Sequence, residues 1–250
     1  MALKYLFFHY GPGGNCDTER SWLAARFPQI EFWNQPKTTT FDDLKQACSF
    51  KLLEFSKIHN HFGVIAHSFG CDLALHALHS SHVKADQLVL ISPISSLFSA
   101  FENLAQKVLK KDPKIHKELS TALVLFQKRP SLDLFWSLVG CSVKSPVFPS
   151  LYWASSEKFK TFQETEKKSQ PLDFQMWQIV LNDYISKRLP TPKVNAQHIN
   201  VYLGDDDPYL KIQSDVLYWQ AHLPGCHVLT VPNCGHYPHL EKPETVFANI

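Results

Sequence analysis

Three side chains in this sequence could together open an acyl carbonyl: Ser68, Asp207 and His236. A serine hydroxyl is a poor nucleophile until a base takes its proton. Histidine is the natural base, and a carboxylate behind the imidazole fixes its tautomer and steadies the imidazolium. Ser68 stands between an apolar run, Gly63–Ala66, and a stretch from Phe69 to Leu78 whose apolar residues recur at helical spacing. It therefore falls where a strand becomes a helix. Small residues flank it two positions away on each side, Ala66 and Gly70. A tight turn of that kind holds a serine Oγ out from the end of a sheet, over a helix N-terminus that favours negative charge. The backbone N–H of Phe69 then points toward an oxyanion formed beside Ser68.

Each piece has a plainer reading when taken alone. Ser68 could simply cap a helix. The run Asp205-Asp206-Asp207-Pro208 could be a solvated turn that starts the next helix. His236 and His239, three apart, lack a further His or Cys at helical spacing that would argue for metal, and no partner acids around Asp205–Asp207 argue for a hard cation. No metal and no cofactor is expected. His67 reads as a packed residue. What favours catalysis is order: Asp207 follows one strand and His236 the next, giving Ser, Asp, His along the chain.

The elements needed to position these groups are legible in the apolar pattern. Strands are expected at Leu3–His9, Ile30–Trp33, the Gly63 run, Gln87–Ile91, Ile199–Leu203 and His227–Val231. Helices are expected between them: one around Trp22–Phe27, one from the N-cap Thr40 to about Lys57, the Phe69 helix, one at about 209–222, and one closing the chain through Phe247. Alternating strands and helices imply a parallel, doubly wound sheet, whose ligands sit beyond the C-terminal strand ends. Ser68 and the loop Tyr10-Gly11-Pro12-Gly13-Gly14-Asn15 both lie at that end. The alternation stops between Ile94 and Ala196. This aromatic-rich segment reads as helices at about 94–110, 113–128, 131–140 and 171–188, too long for a plain connection. Its aromatics are expected mostly to fill its own core, with a few lining a pocket over the sheet end.

Composition narrows the classes. The 250 residues are 44% hydrophobic and 19% charged, with a net charge of +2, and acids and bases are mixed along the chain. That suits one α/β domain with an insertion and argues against a nucleic-acid binder, which would show a basic stripe. No stretch approaches the roughly 20 apolar residues of a membrane span. Met1-Ala2-Leu3-Lys4 leads straight into a strand, with no secretory h-region, and the six cysteines are scattered without a CxxC. The expectation is a cytoplasmic protein with reduced thiols.

The chain resembles the α/β-hydrolase fold superfamily in its cap-bearing branch. Phe8-His9-Tyr10-Gly11-Pro12-Gly13-Gly14 resembles the family's oxyanion loop, and Ala66-His67-Ser68-Phe69-Gly70 its nucleophile elbow. Gly204-Asp205-Asp206-Asp207-Pro208 and Cys234-Gly235-His236-Tyr237-Pro238-His239-Leu240-Glu241-Lys242-Pro243-Glu244 resemble its acid and histidine loops. The resemblance implies a sheet of about six strands without the usual N-terminal hairpin, a core of residues 1–93 and 197–250, and a helical cap of residues 94–196. It selects Asp207, three after the glycine, as the acid, and implies Gly11 and Phe69 as oxyanion donors. A serine nucleophile sets the chain apart from the aspartate-based dehalogenases and epoxide hydrolases. There are two departures: Ala66 replaces a glycine in the elbow, and Tyr10 replaces one in the oxyanion loop.

The expected activity is hydrolysis of a small or medium acyl substrate, a carboxylic ester first, through an acyl-enzyme. Thioesters, peptides with a free N-terminus and carbon–carbon bonds are cleaved by relatives with the same machinery. Glu102 or Glu118 in the cap could read a peptide amine. A non-catalytic binding protein on the hydrolase fold is the remaining alternative. The only implied partner is the small-molecule substrate.

Overall fold

A computed structural model describes residues 3–187, 191–248 and 250. Position 188, the expected end of the last insertion helix, and Met1-Ala2 lie outside the described residues. Six strands, β1 (Lys4–Phe8), β2 (Ile30–Trp33), β3 (Phe62–His67), β4 (Ala85–Ile91), β5 (Ala196–Gly204) and β6 (His227–Val231), form one sheet in the order β2-β1-β3-β4-β5-β6. Every pairing is parallel. The inner strands β1 and β3 are apolar nearly throughout because both faces are covered, whereas the edge strand β6 is largely exposed. In β1, Leu6 and Phe8 join the core on one face, and Tyr5 and Phe7 the core on the other.

Helices α1 (Asp17–Leu23), α2 (Phe41–Ile58), α3 (Phe69–Ser81) and, after β5, α9 (Ile212–His222) cover the sheet. Thr40 caps α2 as expected, its hydroxyl accepting the Asp43 N–H at 3.0 Å. The chain winds from β1 outward to β2 and then back to β3 on the other side of β1. The crevice at the end of β1 and β3 is therefore the switch point where such sheets take ligands. The Gly11 loop and Ser68 flank it.

Between β4 and β5 lie α4 (Leu97–Lys111), α5 (His116–Lys128), α6 (Leu132–Val143), α7 (Ser156–Glu166) and α8 (Phe174–Lys187), with short 3-10 turns at Pro113–Ile115 and Phe148–Tyr152. Phe101, Leu104, Leu119, Phe126, Phe135 and Leu138 build a core for α4–α6 separate from the two cores on the sheet. Helix α7 is absent from the sequence expectation, because it is polar and buries none of its residues. The single closing helix is replaced by two short ones, α10 (Pro238–Glu241) and α11 (Pro243–Val246). Each begins on a proline, which suits a first helical turn and breaks a helix interior. No helix among the described residues is long and apolar enough to cross a membrane, and all six cysteines are free.

Helix α8 is tied to the sheet layer through α3. Tyr184 Oη donates to Asp72 Oδ2 at 2.7 Å. Burial pushes the Asp72 carboxyl up to about 6 from 3.8, with the Tyr184 hydrogen bond pulling the other way. A carboxyl raised on folding favours the folded state at low pH, and that contribution is lost as pH rises through about 6. Asp72→Asn keeps an acceptor for Tyr184 and removes the buried charge. The variant is expected to be more stable than wild type at pH 8, by at most about 2–3 kcal/mol because Asp72 still meets some solvent, and not at pH 4. Urea unfolding at the two pH values checks this; an equal difference at both would exclude ionisation of Asp72 as the cause.

Candidate active site

The turn from β3 into α3 carries Ser68 at φ 55°, ψ −125°, a strained conformation for a residue with a side chain. Its neighbours sustain it. The Ser68 N–H donates to Ile91 O at 2.9 Å and the Cys71 N–H to Ser68 O at 3.0 Å. Gly70 must be glycine: a Cβ there would lie 2.3 Å from His9 O and 2.5 Å from Phe8 O. The end of β1 passes that close to the first turn of α3.

The structure brings the three sequence-selected side chains together. Ser68 Oγ donates to His236 Nε2 at 2.9 Å, and His236 Nδ1 donates to Asp207 Oδ2 at 2.7 Å. The second Asp207 oxygen accepts the Tyr209 N–H at 2.9 Å. Asp207 and His236 are buried, so the Asp207 carboxylate holds a proton on Nδ1 and leaves the Nε2 lone pair for the serine. The three consecutive aspartates have three separate partners. Asp205 Oδ1 accepts the Cys234 N–H at 3.2 Å and so braces the histidine loop. Asp206 pairs with Lys107 of α4 at 3.0 Å, and the same ammonium donates to the Asp206 and Asp207 carbonyls. Only Asp207 reaches the imidazole.

His236 is held through its backbone from two sides. Its N–H donates to Tyr152 O at 2.7 Å, and its carbonyl accepts from His67 Nε2 at 2.8 Å. His67 is therefore more than the packed residue expected from sequence. The signal was its place beside Ser68, but its partner is far away in the chain. Beneath it, Glu19, His67 and His239 place ligand-type atoms within 4.8 Å of one another, all buried, with His239 Nε2 3.6 Å from Glu19 Oε1. His67 Nε2 is engaged by the His236 carbonyl, and no fourth ligand-type group joins the three among the described residues. Burial pushes the imidazoles of His67 and His239 toward neutrality, while Glu19 pulls His239 back.

Glu241, in the family-like tail, clasps the histidine loop. Oε1 accepts the Gly235 N–H at 2.7 Å, and Oε2 accepts the N–H groups of Ala154 and Ser155 at 3.0 and 2.8 Å, just before α7. Glu241→Ala strands three donors. It is expected to cost about 2–4 kcal/mol, and Glu241→Gln, which keeps one acceptor, less than half of that. Thermal unfolding of both variants decides; equal losses would mean the carboxylate is not what holds the loop.

Gly11, at φ 45°, and Phe69 line one cavity with Ser68 and His236. Tyr10, the departure from the family-like oxyanion loop, turns its ring edge-on to His67 and Tyr237, at 6.1 and 6.3 Å. The cavity, about 250 Å³, lies between the sheet end and α4, α6 and α8.

The family model described as the alpha/beta hydrolase family matches residues 11–249. None of the curated proteins matches the chain. Among solved structures, the proline iminopeptidase-related protein of Thermus thermophilus is similar at a TM-score of 0.62 and 19% identity, over 98% of this chain and 86% of that one. The 2-hydroxy-6-oxo-6-phenylhexa-2,4-dienoate hydrolase of a Rhodococcus strain gives 0.60 and 13%, over 99% and 88%. A thermophilic esterase gives 0.55 and 18%, over 99% and 88%. At these identities the likeness is one of fold.

Proposed function

Because the chain belongs to the alpha/beta hydrolase family, we propose that it is a serine hydrolase cleaving a carboxylic ester of a small or medium acyl group. The observation that supports this most is the unbroken hydrogen-bonded line Ser68–His236–Asp207 opening on an apolar cavity. Ser68 Oγ attacks the ester carbonyl while its proton passes to His236 Nε2. The negative oxygen of the tetrahedral intermediate is met by the Gly11 and Phe69 N–H groups. The intermediate collapses, the C–O bond to the alcohol breaks, and His236 gives its proton to the departing oxygen. Water then attacks the acyl-enzyme, losing a proton to His236, and the acid leaves as Ser68 regains its hydrogen. Asp207 keeps the imidazole in the required tautomer and offsets its charge.

In this reading residues 1–93 and 197–250 are the catalytic core, and residues 94–196 are a cap that roofs the site. The separate hydrophobic core of α4–α6 supports that division. The free thiols fit a reducing, cytoplasmic setting.

A fluorophosphonate probe with mass mapping of the adduct tests the proposal together with turnover of p-nitrophenyl butyrate. Labelling at Ser68 and ester turnover are expected. A folded protein that is neither labelled nor active, yet binds a small molecule tightly, would make it a binding protein on a hydrolase fold.

A further inference from the structure

The cavity above Ser68 carries information about charge. Its walls come from Leu97 and Phe101 of α4, Val139 and Val143 of α6, and Trp177 and Leu181 of α8. No described lining residue is Asp, Glu, Lys or Arg. Glu102 and Glu118, the insertion carboxylates that could have read a peptide amine, do not line it. Glu118 is exposed and pairs with Lys144 at 3.1 Å. A charged substrate group would lose its water here and gain no partner, which is costly.

Apart from Ser68 and His236, four phenols line the cavity, Tyr10, Tyr152, Tyr209 and Tyr237, and two of them are hydrogen-bonded to each other. Tyr152 Oη and Tyr209 Oη lie 2.7 Å apart, one from the insertion and one just past Asp207. Burial pushes both phenols up, so they stay neutral. Two hydroxyls hold two protons and spend one on each other, which leaves one O–H to donate. The rings of both tyrosines pack edge-on against His236, at 5.8 and 4.9 Å between centroids. The rings of the pair therefore stand beside the base rather than at the far end of the cavity.

Building on the serine-hydrolase reading, we propose that this site selects an uncharged substrate: an apolar chain against α4, α6 and α8, with an acceptor oxygen next to the scissile bond taken by the Tyr152–Tyr209 pair. The cavity is at the small end of ligand sites, which fits a chain of about four to eight carbons. Free-amine peptides and carboxylate-bearing acyl groups are excluded for want of a counter-charge.

Three substrates test the charge rule in the wild-type protein: p-nitrophenyl butyrate, the p-nitrophenyl monoester of glutaric acid, and alanyl p-nitroanilide. The neutral ester is expected to exceed the carboxylate-bearing one in kcat/KM by at least about 100-fold. The free-amine anilide should not turn over detectably. A carboxylate ester within about threefold of butyrate, or ready anilide cleavage, overturns the inference. Tyr152→Phe and Tyr209→Phe each leave one O–H to donate and should change KM by no more than about threefold, whereas the double variant, with none, should raise KM at least about tenfold with less effect on kcat. A double variant whose KM stays within about threefold of wild type overturns the anchor. Val143→Phe, at a partly exposed rim position that tolerates bulk, should shift the preferred p-nitrophenyl ester to a shorter chain; an unmoved optimum overturns the placing of the chain. Fluorophosphonate labelling of Ser68 separates two failures. Labelling with the wrong substrate profile ends this inference alone, whereas absence of labelling ends the hydrolase reading beneath it.

Discussion

Ser68→Ala is expected to lower kcat for p-nitrophenyl esters by at least about 10⁴-fold and to abolish fluorophosphonate labelling, with binding of the ester nearly unchanged. The structure explains why the loss should be confined to chemistry. The Oγ has one hydrogen-bonding partner, His236 Nε2. The backbone that strains the turn is held by Ile91 O and by the missing side chain at Gly70, and neither depends on the hydroxyl. The melting temperature should therefore stay within a few degrees of wild type. His236→Ala should lose a similar factor, and the double variant no more than the worse single one, because a nucleophile without its base and a base without its nucleophile are equally idle. Substantial ester turnover by Ser68→Ala would sink the mechanism.

Gly204→Ala is expected to be the most damaging single methyl in the molecule. A Cβ at Gly204 would fall 2.0 Å from Gly235 O and 2.5 Å from Cys234 O. These are main-chain atoms of the loop that carries His236, so they cannot turn aside as a side chain would. The end of β5 and the histidine loop must separate, and with them Asp207 and His236. The expected outcome is a loss of about 3 kcal/mol or more, with kcat reduced even in the fraction that stays folded. Gly140→Ala is the matched control. It lies in α6 with nothing within 4 Å of the added carbon, and should raise stability by up to about 1 kcal/mol. Denaturant midpoints and single-turnover rates of both variants decide the matter. A Gly204→Ala protein as stable and active as wild type would mean that the two loops need not touch.

The inner strands could be read from the sequence because a parallel sheet covered on both faces is apolar in unbroken runs, as in Tyr5–Phe8 and Val64–Ala66. Helix α7 could not, since it is polar, has no fully buried residue and is held by Phe159 and Phe162 packing on the core and by side-chain hydrogen bonds such as Thr18 to Glu166 and Trp22 to Thr165, which no periodicity records. The closing segment misled because Leu240, Val246 and Phe247 are spaced plausibly for one helix, while Pro243 forces a second start. At the site, residue types and chain order pointed to Ser68, His236 and the Asp205–Asp207 run, and the family resemblance to Asp207 within it. What sequence could not supply was the separate partner of each of the three aspartates. The partners are Cys234, Lys107 and His236, each arriving from another part of the chain. The part played by His67 is hidden for the same reason.

The pairing of β4 with β5 joins Ala85 to Ala196 across the whole helical segment. During translation the Gly11 loop and Ser68 are made well before Asp207 and His236. A nascent chain halted before β5 exposes the edge of β4, with Leu88 and Leu90 awaiting a neighbour. Such an edge invites pairing with other chains. Ribosome-bound fragments ending before residue 196 should therefore bind chaperones and react with no fluorophosphonate. Reactivity should appear abruptly only when a fragment is long enough for His236 to emerge and dock on Ser68.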